Sequence, residues 1–418
     1  MKKIISSIMI LFVLLVGCGS NTESNADGTN DETTTLTVWV MGSDDHWKTY
    51  HDDLIERFEQ ENKNIEVEVD YIPWAEGENK LVTAATNNRL PDVTTIAGRW
   101  TPQLVAMEAV EPLDSYFDEA FQESFVEGAW NTTQYQGSTW GLPIGFTTTG
   151  LFYRTDWLED AGFNSPPTTW EEFVDVAKAF TAEDRYGFGL VGSNGMETTM
   201  FWAPFLWSNG GELLNDDLTE ATFNSPEGVE ALEFYTDLLL THKVAPEGSI
   251  NYGRGDSQDL FVSGAVGMTT VGPWFPKTLA QQAPEMEYSI APYPVKKESA
   301  NLGTADHIIM SKQSENKETA WTFMEFFTNE ENDMKWAEYQ GFIPYHKANL
   351  ENDPRKDDPE FKVFFDVAPD AVVYPTMPEW PQIDQAIADA IQESLTGTKT
   401  PQQALDDAAE KVNLLLAK

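Results

Sequence analysis

Leu36-Thr37-Val38-Trp39-Val40, Ile65-Glu66-Val67-Glu68-Val69-Asp70-Tyr71 and Leu90-Pro91-Asp92-Val93-Thr94-Thr95-Ile96 are the pieces of one stretch, 36–96, whose reading decides the fold. The first piece is a short β-branched and apolar run, which is what a buried strand requires. In the second, Ile65, Val67, Val69 and Tyr71 alternate with acids, the two-residue period of a strand with one face in a core. Between them Leu54, Ile55 and Phe58 fall on one face of a helix, and a second helix is expected from Asn79 to Thr86. This strand-helix rhythm predicts a mostly parallel α/β sheet with right-handed crossovers. Parallel strands end at one edge, so the loops that follow them share it. Those loops carry Asp44 and Asp45, then Trp74 after Pro73, then Arg99 and Trp100. In open α/β sheets that edge holds ligands. Asp44 and Asp45 equally suit the start of a helix, whose positive end favours acids.

The arrangement returns in Gly264-Ala265-Val266-Gly267-Met268-Thr269-Thr270-Val271-Gly272-Pro273-Trp274. Small, β-branched and apolar residues make a buried strand, and Gly272-Pro273 ends it because proline has no N–H for the ladder. Trp274 is thereby delivered just past a strand's carboxyl end, although such a tryptophan can also plug a core. Further on, Ser225-Pro226 and Thr400-Pro401 each place a capping hydroxyl before proline at the first helical position. In the last helix Leu405, Ala408, Val412 and Leu415 form the apolar stripe.

The leader says where the chain works. Met1-Lys2-Lys3 is basic, and Ile8 to Val16 is apolar but too short to span a bilayer comfortably. Leu15-Val16-Gly17-Cys18 has the form of a bacterial lipobox, which implies a signal peptide over 1–17 and a lipid on Cys18. Cys18 is the chain's one cysteine, so no disulfide and no cysteine metal cluster can form within it. Residues 18–35 follow as a polar tether that can bury nothing and reaches on the order of 20 Å as a random coil. The membrane is therefore met through the lipid only.

Over the whole sequence, 41% hydrophobic and 12% aromatic residues are ample for a core, and the length left after the tether suits two or three domain-sized units. With 69 acidic against 26 basic residues the formal net charge is −43. That excludes nucleic acid as a partner, since phosphate binding needs a basic surface. The acids are spread along the chain, as a solvated skin suited to high salt or alkaline surroundings would be.

Trp140-Gly141-Leu142-Pro143-Ile144-Gly145-Phe146-Thr147-Thr148-Thr149-Gly150-Leu151-Phe152-Tyr153-Arg154-Thr155-Asp156-Trp157 and Pro166-Pro167-Thr168-Thr169-Trp170-Glu171-Glu172-Phe173 make the chain recognisable. With Gly272-Pro273-Trp274, Tyr288-Ser289-Ile290-Ala291-Pro292-Tyr293-Pro294 and the helix from Lys317 to Thr328, their order resembles the family 1 extracellular solute-binding proteins of ABC importers, the maltose-binding-protein-like group. Thr169 and Glu172 also have the spacing of a capping box. The resemblance implies a two-lobe, periplasmic-binding-protein-like α/β fold with a hinge and a ligand cleft between the lobes. Carried over, lobe one is 36–145 plus 306–341 and lobe two is 149–303 plus 350–418, with crossings at 145–149, 303–306 and 342–349. It further implies a monomer that hands a carbohydrate to ABC importer permease subunits and needs no cofactor or metal.

The expected cleft holds Asp44, Asp45, Trp74, Arg99, Trp100, Phe146, Trp202, Trp274 and Asp306, with Trp207 and Trp380 as further aromatics that suit a core equally well. Flat rings match the C–H face of a sugar, and carboxylates and guanidinium match its hydroxyls. A secreted glycoside hydrolase would also combine acids with aromatics. No spacing singles out an acid pair, however, and the His-Glu-x-x-His, G-x-S-x-G and phosphate-loop patterns are absent from the sequence. A polyol or sugar phosphate remains the alternative cargo, and internal repeats that would suggest a structural adhesin are missing.

Overall fold

The computed structural model describes residues 33–417. The expected signal peptide, Cys18 and the tether as far as residue 32 lie outside the described residues. The end of the tether is not free chain: strand β1 (Thr34–Met41) begins two residues before Leu36, because Thr34 and Thr35 pair with Ile65 and Glu66. It is followed by α1 (Asp45–Glu61), β2 (Ile65–Ile72), α2 (Trp74–Thr86) and β3 (Val93–Ala97). Leu36, Val38 and Val40 are buried beneath Leu54 and Phe58 of α1, as the periodicity predicts. Helix α2 starts five residues earlier than Asn79. Pro73 ends the ladder of β2, and the chain turns into the helix at once.

The remaining elements that position the site are β4 (Leu142–Thr147), β5 (Gly150–Arg154), β6 (Tyr186–Phe188), α3 (Met196–Ser208), α4 (Arg254–Val262), β7 (Val266–Val271), α5 (Phe275–Gln282), β8 (Tyr288–Ala291), β9 (Thr304–Met310), α6 (Glu330–Gln340), α7 (Trp380–Leu395) and α8 (Pro401–Leu416). They form two mixed sheets, one in the order β2-β1-β3-β9-β4 and one in the order β8-β5-β7-β6. The expectation of a mostly parallel sheet is corrected here. β9 runs against both β3 and β4, and β5 runs against both β8 and β7. The reason is connectivity. β9 and β5 are the strands through which the chain enters each sheet from the other, so they run away from the edge where their neighbours end.

Each sheet is buried on both faces. The first lies between one core holding Leu36, Val38 and Phe58 and another holding Met41, Ile96 and Trp100. The second lies between a core built on Phe173, Trp202 and the helices α3, α7 and α8 and a smaller one holding Phe152, Phe275 and Phe364. The caps form as written for Ser225 and for Thr400, where Gln403 completes a capping box. At Thr169 the box is shifted. Thr169 accepts from the Glu172 N–H, but the Glu172 carboxylate reaches back to the N–H and hydroxyl of Thr168.

Residues 345–349, within the segment expected as the third crossing, pack on the first sheet's side. Asp333 of α6 accepts from the N–H groups of Tyr345 and His346 and from the Asn349 side chain, which holds that segment on the first sheet's side. Only beyond Asp353 do Val363 and Phe364 enter the core of the second sheet. Between them Arg355 bonds Asp353 and the carbonyls of Ala337 and Phe342, and its guanidinium lies 5.9 Å from the Phe361 ring.

Candidate functional site

Where the strand ends of the two sheets face one another, a cleft of about 950 Å³ opens. Its first wall follows from the register of β1, β2 and β3. They run parallel, so Asp44 and Asp45, Trp74, and Arg99 all emerge at one edge. Asp306 joins them from β9, opposite Ala97 and Gly145, at a bulge where the pairing with β4 slips by one residue. Bulges of this kind re-aim a side chain. From the second wall comes Trp274, directly after β7 and Gly272-Pro273. A Cβ on Gly272 would stand 2.0 Å from the Trp274 ring, so glycine is what lets the indole lie back over the chain. Arg254 lies 5.5 Å from that ring, and Phe342 meets it edge-on at 6.2 Å.

Of the nine residues expected in the cleft, the structure brings together Asp44, Asp45, Trp74, Arg99, Trp274 and Asp306. The other three are placed elsewhere. Trp100 is 2% exposed and packs against Trp74 and Gly77 in a core of the first sheet. Trp202 is 0% exposed, because α3 turns it inward against the second sheet's helices. Phe146 fits against Gly303 where β4 and β9 cross, and its carbonyl accepts from Ile343. Trp207 and Trp380 are core residues around Tyr374. Asp44 precedes α1, but its side chain makes no capping bond.

Several lining residues carried no signal that the sequence reading used. Trp47 follows Asp44 by three positions, one helical turn onto the same edge, and meets Trp74 edge-on at 6.3 Å. That spacing could have revealed it. Glu78 lies one turn into α2 from Trp74 by the same logic. Arg254, Gln258, Gln340 and Asp384 come from helices whose placement at the cleft is tertiary, and nothing local marks them.

Arg99 is the electrostatic centre. Burial pushes the Asp306 carboxyl up to about 7, against the pull of Arg99 and then Arg254. Asp384, on the opposite wall, is also pushed up to about 7 by burial, with the Thr199 hydroxyl and Arg99 opposing and Glu78 adding to the rise. Burial raises Glu78 too, again against Arg99. Arg254 is held by Glu197, which accepts its backbone N–H at 2.9 Å and lies 3.5 Å from its Nε. The cleft therefore offers ring faces, buried carboxyl groups and two guanidinium groups, with acids in excess. Among the described residues no group of His, Cys, Asp and Glu is arranged to hold a metal ion, and no helix is long and apolar enough to cross a membrane.

Comparison with known proteins agrees with this arrangement. The sequence profile of the family described as bacterial extracellular solute-binding protein matches residues 48–334. A Brucella abortus (strain 2308) chain named as a binding protein is 31% identical over 373 residues, 88% of this chain and 90% of its own length. The sn-glycerol-3-phosphate-binding periplasmic protein UgpB of Shigella dysenteriae is 27% identical over 428 residues, 93% of this chain and 94% of its own. An ABC transporter solute-binding protein from Thermotoga lettingae, solved bound with α-D-tagatose, superposes with a TM-score of 0.86 at 32% identity, over 92% of this chain and 100% of that one. With two mixed sheets facing across a cleft and a profile match that spans most of both, the chain belongs to the bacterial extracellular solute-binding proteins, which bind their solutes and catalyse nothing.

Proposed function

We propose that this protein is the lipid-anchored receptor of an ABC sugar importer, standing on the outer face of the cell membrane and delivering a mono- or oligosaccharide to the permease. The observation that carries the reading is the composition of the cleft. Trp74 and Trp274 offer flat faces, while Asp306, Asp384 and Arg99 supply hydrogen-bonding groups out of bulk water. Such a mixture suits a ring that is apolar on its faces and polar at its rim. The tagatose-bound relative supports a sugar, and the glycerol-phosphate-binding relative supports the alternative of a phosphorylated polyol. The acid excess favours the uncharged sugar, because a phosphate near Arg99 would also meet Asp306, Asp384 and Glu78, with Arg254 engaged by Glu197. Ligand binding draws the walls together about the crossings near 145–149 and 303–306, and the closed form is what the permease recognises.

The test is calorimetric titration with D-tagatose, D-galactose, maltose and sn-glycerol 3-phosphate, joined by a thermal-shift measurement, since binding to the native state alone must raise the melting temperature. Saturable binding of at least one sugar without turnover is expected. Binding of glycerol phosphate alone would replace the reading. The anchor has its own check: Cys18→Ser should abolish labelling by fatty acid and partitioning into detergent, and a labelled variant would remove the lipobox assignment.

A further inference from the structure

Two cleft residues on opposite walls carry buried polar atoms that the protein does not satisfy. Gln340 closes α6, is 2% exposed, and has no hydrogen-bond partner within the protein for either its Oε1 or its Nε2. Asp384 lies in the first turns of α7, is 3% exposed, and its Oδ1 likewise has none; it is the one carboxylate among the described buried atoms in that condition. Both residues line the cleft. Their helices fix them there for unrelated reasons. Trp336 roots α6 in the first sheet's core, and Gly341 in the left-handed region (φ 81°) ends the helix at the cleft. Trp380, Ile383 and Ile387 root α7 in the second sheet's core, and Thr199 of α3 donates to the Asp384 carbonyl at 3.4 Å.

Burying a polar group without a partner is unfavourable, so one that persists beside a binding cleft has a partner outside the chain as its simplest explanation. We infer that Gln340 and Asp384 are specificity-determining residues of the solute site, one from each wall, and that together they take hydroxyl groups of an uncharged sugar. The chemistry selects the class. An amide both donates and accepts, a carboxyl group accepts when ionised and also donates when protonated, and a hydroxyl can answer either. Once Asp384 is ionised, above about pH 7, it repels an anion, with Glu78 near it adding to the repulsion. A cation leaves the Gln340 donor unanswered. Because the two groups belong to opposite walls, a ligand that meets both also holds the walls together. The inference rests on the sugar-receptor reading.

The test pairs affinity with stability in Gln340→Met and Asp384→Leu, each close in shape to the original. With every sugar of the panel that the wild type binds, each variant should weaken binding about 10- to 100-fold, as loss of one hydrogen bond or charge-assisted hydrogen bond implies. The melting temperature of the ligand-free variants should hold or rise, since a costly buried polar atom has been replaced by an apolar one. A packing role predicts the reverse pattern: a melting temperature well below wild type. Asp384→Asn, which keeps the shape and removes the charge, repeats the measurement where leucine does not fit. Sugar affinity unchanged within about threefold in both positions would overturn the inference and leave the receptor reading standing, as would a loss of stability in both Gln340→Met and Asp384→Asn. A wild-type protein that binds none of the sugars would bring down both.

Discussion

Trp274 presents part of its indole to the cleft, with Arg254 at one side of the ring and Phe342 at its edge. Because the ring is only partly buried, its removal should cost the fold little and the ligand much. Trp274→Ala is expected to weaken sugar binding by about 1–3 kcal/mol, by analogy with aromatic stacking on other flat ligands. A denaturant melt of the same variant separates this from a packing role, for which a loss of about 3–5 kcal/mol would be seen. Asp384 allows a second test at this scale. Its folded value of about 7 lies above the ordinary value of 3.8, so the folded state keeps a proton that the unfolded state has lost. The stability it contributes is present below about pH 4 and is lost as the pH rises towards 7. His51 and His307 act in the opposite sense, because burial lowers them to about 4 and about 3. Their contribution is lost as the pH falls from about 6.5. The wild-type profile therefore mixes two slopes, and a difference measurement is needed. The melting temperature of Asp384→Asn minus that of the wild type should grow from pH 4 to pH 7 and then level off, values about set by the two carboxyl states; a difference independent of pH would refute the assignment.

Among the elements, the segment that follows α6 is the least legible from sequence; Asp333 holds its start and Arg355 its far end. Arg355 is clamped between the buried Asp353 and two carbonyls of the first sheet's side, with Phe361 beside it leading to the second. Arg355→Ala strands the Asp353 carboxylate in the interior. Breaking a buried pair in this way costs about 3–5 kcal/mol, which a urea melt should show. By contrast Thr400→Ala removes an exposed helix cap at α8 and should cost only about 0.5–2 kcal/mol. Equal losses for the two would mean that the Arg355 clamp adds nothing beyond a surface contact. The same scale explains the tryptophans. Trp74 and Trp274 follow strands directly and reach the edge, whereas Trp202 lies inside α3, where the helical face decides its direction.

For the molecule as a whole, a formal charge of −43 is the dominant long-range force. Ion pairs such as Lys296 with Glu171 and Lys399 with Asp407 use up many of the 26 basic residues and leave most of the acids without a counter-charge. Self-repulsion of this kind weakens as the screening length drops from about 10 Å at 0.1 M salt to about 3 Å at 1 M. The melting temperature should rise across that range of sodium chloride. A flat profile would show that the charges are already far enough apart to ignore one another.

What the sequence determined by itself is what depends on near neighbours. Alternation in Ile65 to Tyr71, the helical face of Leu54 and Phe58, the caps at Ser225 and Thr400, and the strand that delivers Trp274 are all set within a few residues, and all are found where those residues place them. Six of the nine expected cleft residues were legible for the same reason: they follow strand ends or lie on the chain's passage between the sheets. The tertiary structure alone decided the rest. β9 and β5 run against their neighbours because of where the chain re-enters each sheet, while Trp100 and Trp202 are turned inward and Phe146 is laid against Gly303 by partners far away in sequence. Gln340 and Asp384 stand 44 positions apart, on helices rooted in different cores. Only the packing of those helices against two separate sheets brings their unpaired atoms to one cleft, since no local pattern encodes a distance between two hydrophobic cores.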